Sequence, residues 1–465
     1  MRSGCIVFTV CMAILLSVSA ACSQQVIAGK VRKPDALPQE ITPGPQALRV
    51  RADAVAGVIL PLTKNLTLQT ARTAIAGVDL SLEMPSWHAY PWQQYLGTPT
   101  LGVGVSAIYL GHPTLGLMVA TYPYMAFRLV DNADFRLSIK TATGLSFFTK
   151  YYYNTDTDPQ RFYSEAANTS IGSVVNVYLA AGIDMAFPLK KGWEIHLAAD
   201  YRHASNGSVI QPNGGLNMVT ASLGAAYNIP HCTNCDRYRP IKKFGPLPYE
   251  WSLLFSVSAG SRQLFYLDHL NLPIGNIHIG GSYNIGNWYA IGLATDLFYD
   301  GAFTRQGVTP DMSDEQKAEQ QQYTRFGRYL ITDDNFSNRL RLGLALTNEM
   351  RIGRITMLLD WGIYLYNPLR NRMLTPHPRY GNNRPMFYTY DIDTDDGWNY
   401  FRLGIRCRVW DNIFVQASVK THLHKAEMLE WTVGYQIPWR RRNSNHSSLT
   451  ATFDGFEIYH PEREM

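Results

Sequence analysis

Tyr201-Arg202-His203-Ala204-Ser205-Asn206-Gly207 places an imidazole and a hydroxyl two residues apart at the end of an apolar-alternating segment. Gln211-Pro212-Asn213-Gly214-Gly215-Leu216-Asn217 follows at once, and a second alternating segment then returns. Positions two apart in a strand share a face, so His203 and Ser205 point the same way. A serine hydroxyl is inert without a base, and an adjacent imidazole supplies one, so the chemistry this pair can do is nucleophilic attack on an acyl carbonyl. Asn206 and nearby backbone N–H groups are candidate donors to an oxyanion. Asn213-Gly214-Gly215 permits a tight return that brings Asn217 back beside the pair. The bland alternative is a polar pair in the girdle of a membrane protein.

The flanking strands decide what that face looks at. Trp193, Ile195, Leu197, Ala199 and Tyr201 share it with His203 and Ser205, while Glu194, His196, Asp200 and Arg202 line the other. On the returning segment Asn217 lies with Val219, Ala221, Leu223, Ala225 and Tyr227. The candidate site therefore ends the greasy face, an arrangement that fits a wall looking out at lipid.

Composition agrees. Of 465 residues 17% are charged and 12% aromatic, with 28 Tyr and 36 Gly, and the net charge is only +5. That excess is too small to argue for nucleic acid but suits anionic lipid surfaces. Residues 1–21 read as an export signal, with Arg2, an apolar stretch from Ile6 to Val18 and small residues after it. Cys22 resembles a lipid-attachment cysteine, although Ser19 stands where such sites carry Leu. Residues 22–50 read as a polar, Pro-rich periplasmic lead-in and 441–465 as a C-terminal tail. No later stretch is long and apolar enough for a transmembrane helix.

Between them, alternating segments fall near 52–61, 72–83, 101–110, 115–129, 134–148, 171–187, 192–205, 215–228, 250–261, 274–285, 287–300, 338–349, 353–366, 399–410, 412–424 and 428–438. Their length, roughly ten residues, is what a tilted strand needs to cross a bilayer. Leu340, Leu342, Leu344 and Leu346 oppose Arg339 and Arg341, and Phe401, Leu403 and Ile405 oppose Arg402, Arg406 and Arg408. One Arg facing lipid at the midplane costs about 2–4 kcal/mol. The charges therefore face inward, and the expected fold is all-β: a single antiparallel outer-membrane barrel over 51–440 with about 14–16 strands. Tight turns (Asp131–Asp134, Ile285–Asn287, Arg351–Gly353, Asp411–Asn412) alternate with long connections near 149–170, 301–337 and 367–398, which puts loop 206–214 on the outer side. The connection at 229–249 is longer than a periplasmic turn should be.

The segment also resembles a known family, the outer-membrane lipid A 3-O-deacylases of the PagL type, or acyloxyacyl hydrolases. They carry H-x-S-N and, just beyond it, P-N-x-G, read here as His203-Ala204-Ser205-Asn206 and Pro212-Asn213-Gly214-Gly215. Gly144, Lys150, Asn168 to Ser173, Trp87, Tyr90, Pro91, and Lys420 to Trp431 are similar to the larger members. The resemblance implies that Ser205 is a nucleophile, His203 its base and Asn206 the oxyanion donor, acting without a cofactor on lipid A of lipopolysaccharide in the bacterial outer membrane. In one place the chain departs: short members carry Glu where Asn217 stands. An amide oxygen can still accept the imidazole N–H, but replacing the acid of a serine protease by an amide costs about 10⁴ in rate. Glu165, Asp156 and Asp158 are candidate substitutes.

Other constellations read more plainly. Cys232 and Cys235 form a C-x-x-C best read as a local disulfide, and no metal site is expected there. His422 and His424, with Lys420, fit a hydrated lumen better than a metal site. Arg305, Arg325, Arg328, Arg370, Arg372, Arg379 and Arg384 either grip lipid A phosphates or solvate long loops. The competing reading of the whole chain is a non-catalytic barrel, a porin, a hydrophobic-compound channel or a degenerate relative.

Overall fold

The computed structural model describes residues 48–60, 73–86, 91–155, 168, 170–229, 249–263, 271–285, 288–301, 336–367, 399–422 and 426–440. The first eight strands are β1 (Leu48–Ile59), β2 (Ala74–Pro85), β3 (Thr100–Tyr109), β4 (Leu117–Asp131), β5 (Arg136–Phe148), β6 (Val175–Pro188), β7 (Trp193–Ser205) and β8 (Leu216–Ile229). The second eight are β9 (Tyr249–Arg262), β10 (Leu272–Ile285), β11 (Tyr289–Asp300), β12 (Leu340–Ile352), β13 (Ile355–Tyr366), β14 (Asn399–Arg408), β15 (Ile413–Thr421) and β16 (Ala426–Arg440). The number of strands and their placement match the alternation in the sequence.

Their closure does not. The single barrel expected over 51–440 is two barrels: β1 to β8 close on themselves and β9 to β16 close separately. β8 pairs antiparallel with β1, from Leu48 opposite Ile229 to Ile59 opposite Met218. β16 pairs with β9. Edge satisfaction requires closure but does not set how many barrels form. In hydrocarbon every backbone N–H and C=O must find a partner, and a closed sheet is how strands achieve this. Either one closure or two would meet that need. The long connection at 229–249 is the join between barrels, and residues 230–248 within it lie outside the described residues.

Inside each barrel the polar face becomes a charge network. In the first, Arg202 on β7 reaches Asp79 on β2 at 2.7 Å and Ser106 on β3 at 3.1 Å, across the bore. Arg51 on β1 meets Asp184 on β6 at 2.9 Å. In the second, Arg402 on β14 meets Asp296 on β11, Asp360 on β13 and Glu430 on β16 at 2.9, 3.2 and 2.9 Å. An eight-stranded barrel is just narrow enough for side chains to fill it, and these pairs do so.

The polar-in rule fails at one end of the first barrel. There Ile108, Leu115, Met118, Phe148, Ile171 and Tyr178, all at most 3% exposed, form an apolar plug. Tyr178 stacks on Tyr122 with ring centroids 5.1 Å apart. On the outside, alternate residues are bare: Leu223 is 60% exposed, Leu293 61% and Val433 60%. Leu223→Arg would put a charge near the middle of a lipid-facing strand. It is expected to lower the stability of the first barrel by about 2–4 kcal/mol, read from urea unfolding in lipid vesicles.

Candidate active site

The site is built by the β7–β8 hairpin at the plugged end of the first barrel. The strand parity of β7 turns Glu194, His196, Asp200 and Arg202 inward, where they are buried. His203 and Ser205 consequently take the outward parity of Trp193, Ile195 and Leu197. Register supplies the third member, because His203 pairs directly with Asn217 on β8.

These side chains form one relay. His203 Nε2 is 3.0 Å from Ser205 Oγ. His203 Nδ1 is 2.7 Å from Asn217 Oδ1. A carboxamide oxygen only accepts, so Nδ1 carries the proton and Nε2 is left bare to receive the serine O–H. The Tyr201 hydroxyl also donates to Asn217 Oδ1, at 2.6 Å. Ser205, Asn206 and Asn217 are 8%, 5% and 7% exposed, so the relay is recessed although its face is outward.

The loop after β7 holds the pair from above. Gly207 and Ser208 both take positive φ, 66° and 68°, which ends the strand abruptly. Gly215 has φ 72°, and a Cβ placed there would stand 3.0 Å from His203 Cε1, so the bare backbone rests against the imidazole. Gly215 N donates to Ser170 O at 3.0 Å. Asn206 is tied in twice: its backbone N donates to Asn213 Oδ1 at 3.1 Å and its Nδ2 to Ser173 Oγ at 3.0 Å. Asn168, 2% exposed, pins this loop cluster by donating through Nδ2 to Thr114 O and Lys150 O, both at 3.2 Å.

The structure thus brings together His203, Ser205 and Asn217 and places Asn206 in the adjoining loop network. Tyr201 was legible as a neighbour two residues before His203 on the same face, but its bond to Asn217 was not. The substitute acids Glu165, Asp156 and Asp158 lie outside the described residues, as do Cys232, Cys235, His424, the seven loop arginines, the export signal and the tail. Lys420 and His422 share Glu427 Oε2 in the second bore, at 2.6 and 2.8 Å. Among the described residues no group of three or more His, Cys, Asp or Glu could hold a metal ion.

Two closed antiparallel barrels with apolar outer walls and charged interiors define the class as an outer-membrane β-barrel. Family comparison is more specific. The model for lipid A 3-O-deacylase (PagL) matches residues 76–226, and the model for the acyloxyacyl hydrolase C-terminal domain matches 249–381 and 384–439. The chain belongs to this PagL-type family of bacterial outer-membrane lipid A deacylases.

No curated protein matches the chain. Among solved structures, Neisserial surface protein A is 8% identical with a TM-score of 0.27, covering 39% of this chain and 97% of its own. The outer membrane enzyme PagL is 18% identical with a TM-score of 0.24, covering 39% of this chain and 99% of its own. A mutant porin of Rh. blastica is 8% identical with a TM-score of 0.16, covering 84% and 99%. The family assignment rests on the two sequence models and not on these structures.

Proposed function

We propose that the first barrel hydrolyses an acyl ester of lipid A with Ser205 as nucleophile and His203 as general base. The observation that carries this reading is the Ser205–His203–Asn217 relay on the outward wall, at 3.0 and 2.7 Å. Ser205 Oγ attacks the ester carbonyl carbon while His203 Nε2 takes its proton. The tetrahedral intermediate collapses, the sugar hydroxyl leaves with that proton, and the acyl chain stays on Ser205. Water, activated by the same imidazole, then releases the fatty acid and restores the serine. Asn206 and backbone N–H groups of its loop serve as oxyanion donors, and Asn217 holds the imidazole in the working tautomer.

The location supports the substrate. Connections at the opposite end of this barrel, such as 132–135 and 189–192, are short, and short turns are periplasmic in outer-membrane barrels. His203 then lies at the outer leaflet, where a lipid-embedded ester meets the wall without leaving the bilayer. The cross-bore ion pairs weigh against the channel reading, because they occupy the lumen a solute would need.

Mass spectrometry of lipid A incubated with the wild-type protein tests the reaction. Loss of one 3-hydroxyacyl chain is the expected result, and unchanged lipid A would overturn it. The rate should also depend on pH in one direction. A base works in its neutral form, so the deacylation rate is expected to rise with pH while the imidazole loses its proton, and then to level off. Initial rates measured across the neutral range check this.

A further inference from the structure

We infer that Tyr201 is a positioning residue of this site: its hydroxyl fixes which way the Asn217 amide faces, and so which nitrogen of His203 bears the proton. The inference rests on the reading of His203 as the base. It begins from the place where an amide stands instead of a carboxylate.

A carboxylate offers the imidazole an oxygen whichever way it turns. A carboxamide turned half round offers Nδ2, which only donates. Nδ1 of His203 would then have to accept, the proton would move to Nε2, and Ser205 would face a donor in place of a base. The imidazole cannot choose between these states, because it satisfies either one by changing tautomer.

Tyr201 can choose. Its hydroxyl lies 2.6 Å from the same Asn217 oxygen that sits 2.7 Å from His203 Nδ1. A phenol gives a strong hydrogen bond and receives a weak one, since its lone pair is drawn into the ring. Two donors converging on Oδ1 favour the orientation that keeps that oxygen turned toward the imidazole. The same orientation is needed after proton transfer, when the imidazolium must donate from Nδ1. Tyr201 and His203 share the outward parity of β7 and Asn217 sits opposite His203, so the triangle is set by strand register.

The test is the tautomer itself. With histidine ¹⁵N-labelled and the barrels in detergent micelles, the His203 signal is identified by its absence from His203→Gln protein. At a pH where the imidazole is neutral, wild type is expected to be protonated at Nδ1. Tyr201→Phe, which keeps the ring and the strand face, should move most of the population to Nε2. Tyr201→Phe combined with Asn217→Glu should return it to Nδ1, because a carboxylate has no wrong face. An unchanged tautomer in Tyr201→Phe, or no return in the double variant, overturns the inference.

Kinetics give a second readout. If about a tenth of the molecules keep the working tautomer, kcat on lipid A falls about tenfold, because the rate scales with the competent fraction, while KM stays put. In the Asn217→Glu background the same replacement should cost less than about twofold. Equal losses in both backgrounds would put the hydroxyl on the substrate instead and overturn the inference. A wild type that leaves lipid A intact while the tautomer shifts as expected would remove the proposed reaction and leave the positioning role standing.

Discussion

Ser205→Ala protein is expected to leave lipid A at full mass under conditions in which wild type removes a chain, with the rate lower by about 10⁴ or more. The size follows from what remains. Without the hydroxyl no acyl-enzyme forms, and only oxyanion donors and substrate positioning are left to help water. His203→Gln should fall by a similar factor, and the double variant no further, because nucleophile and base act as one unit. The fold should be untouched. Ser205 is 8% exposed at the end of its strand, and its hydroxyl is bonded to His203 Nε2. Heat-modifiable migration on a gel separates loss of chemistry from loss of structure. Full activity in Ser205→Ala would exclude the serine mechanism.

The other large effect lies in the second barrel. Arg402→Met is expected to destabilise it by about 3–5 kcal/mol, the usual cost of removing one partner from a buried ion network. Arg402 is 2% exposed and answers three carboxylates, while its guanidinium also stacks 5.6 Å from the Phe298 ring. Its loss takes the guanidinium away from Asp296, Asp360 and Glu430, which are 0%, 4% and 2% exposed. Met keeps much of the volume, so the deficit is charge and not cavity. The urea midpoint of the second barrel, followed by protection of its β11 and β14 amides from exchange, is the measurement. Adding Asp296→Asn and Glu430→Gln should recover part of the loss, since the remaining groups no longer repel. No change in midpoint would mean the network contributes nothing to stability.

How much of this could be read from the chain depends on range. Strand existence is local: Ile413, Val415, Ala417 and Val419 against Gln416, Ser418 and Lys420 announce β15 unaided. The site was legible for the same reason. His203 and Ser205 need only period two, and a turn containing Gly214 and Gly215 suffices to return Asn217. Closure is not local, since the ladder from β1 to β8 joins residues such as Ala54 and Leu223. No periodicity within either strand names the other, and only the overlong connection at 229–249 hinted at the division. The apolar plug was missed because alternation reports which residues share a face, not what fills the bore behind it. On β4 Met118, Ala120 and Tyr122 point inward as apolar as anything outside. The bond from Tyr201 to Asn217 depends on two side chains leaning across a strand pair, which spacing cannot specify.

The long connection poses a sorting problem during membrane insertion. As the sheet assembles, the edge of β8 can be covered by either β1 or β9. A short hairpin would deliver β9 at high local concentration and build one wide cylinder. A longer connection lowers that local concentration, since the entropy of bringing chain ends together rises with the length between them. The twelve-residue ladder from Leu48 to Ile59 can then seal first. Shortening the 229–249 connection to a two-residue turn is expected to raise the share of β8 edges that pair with β9 in place of β1.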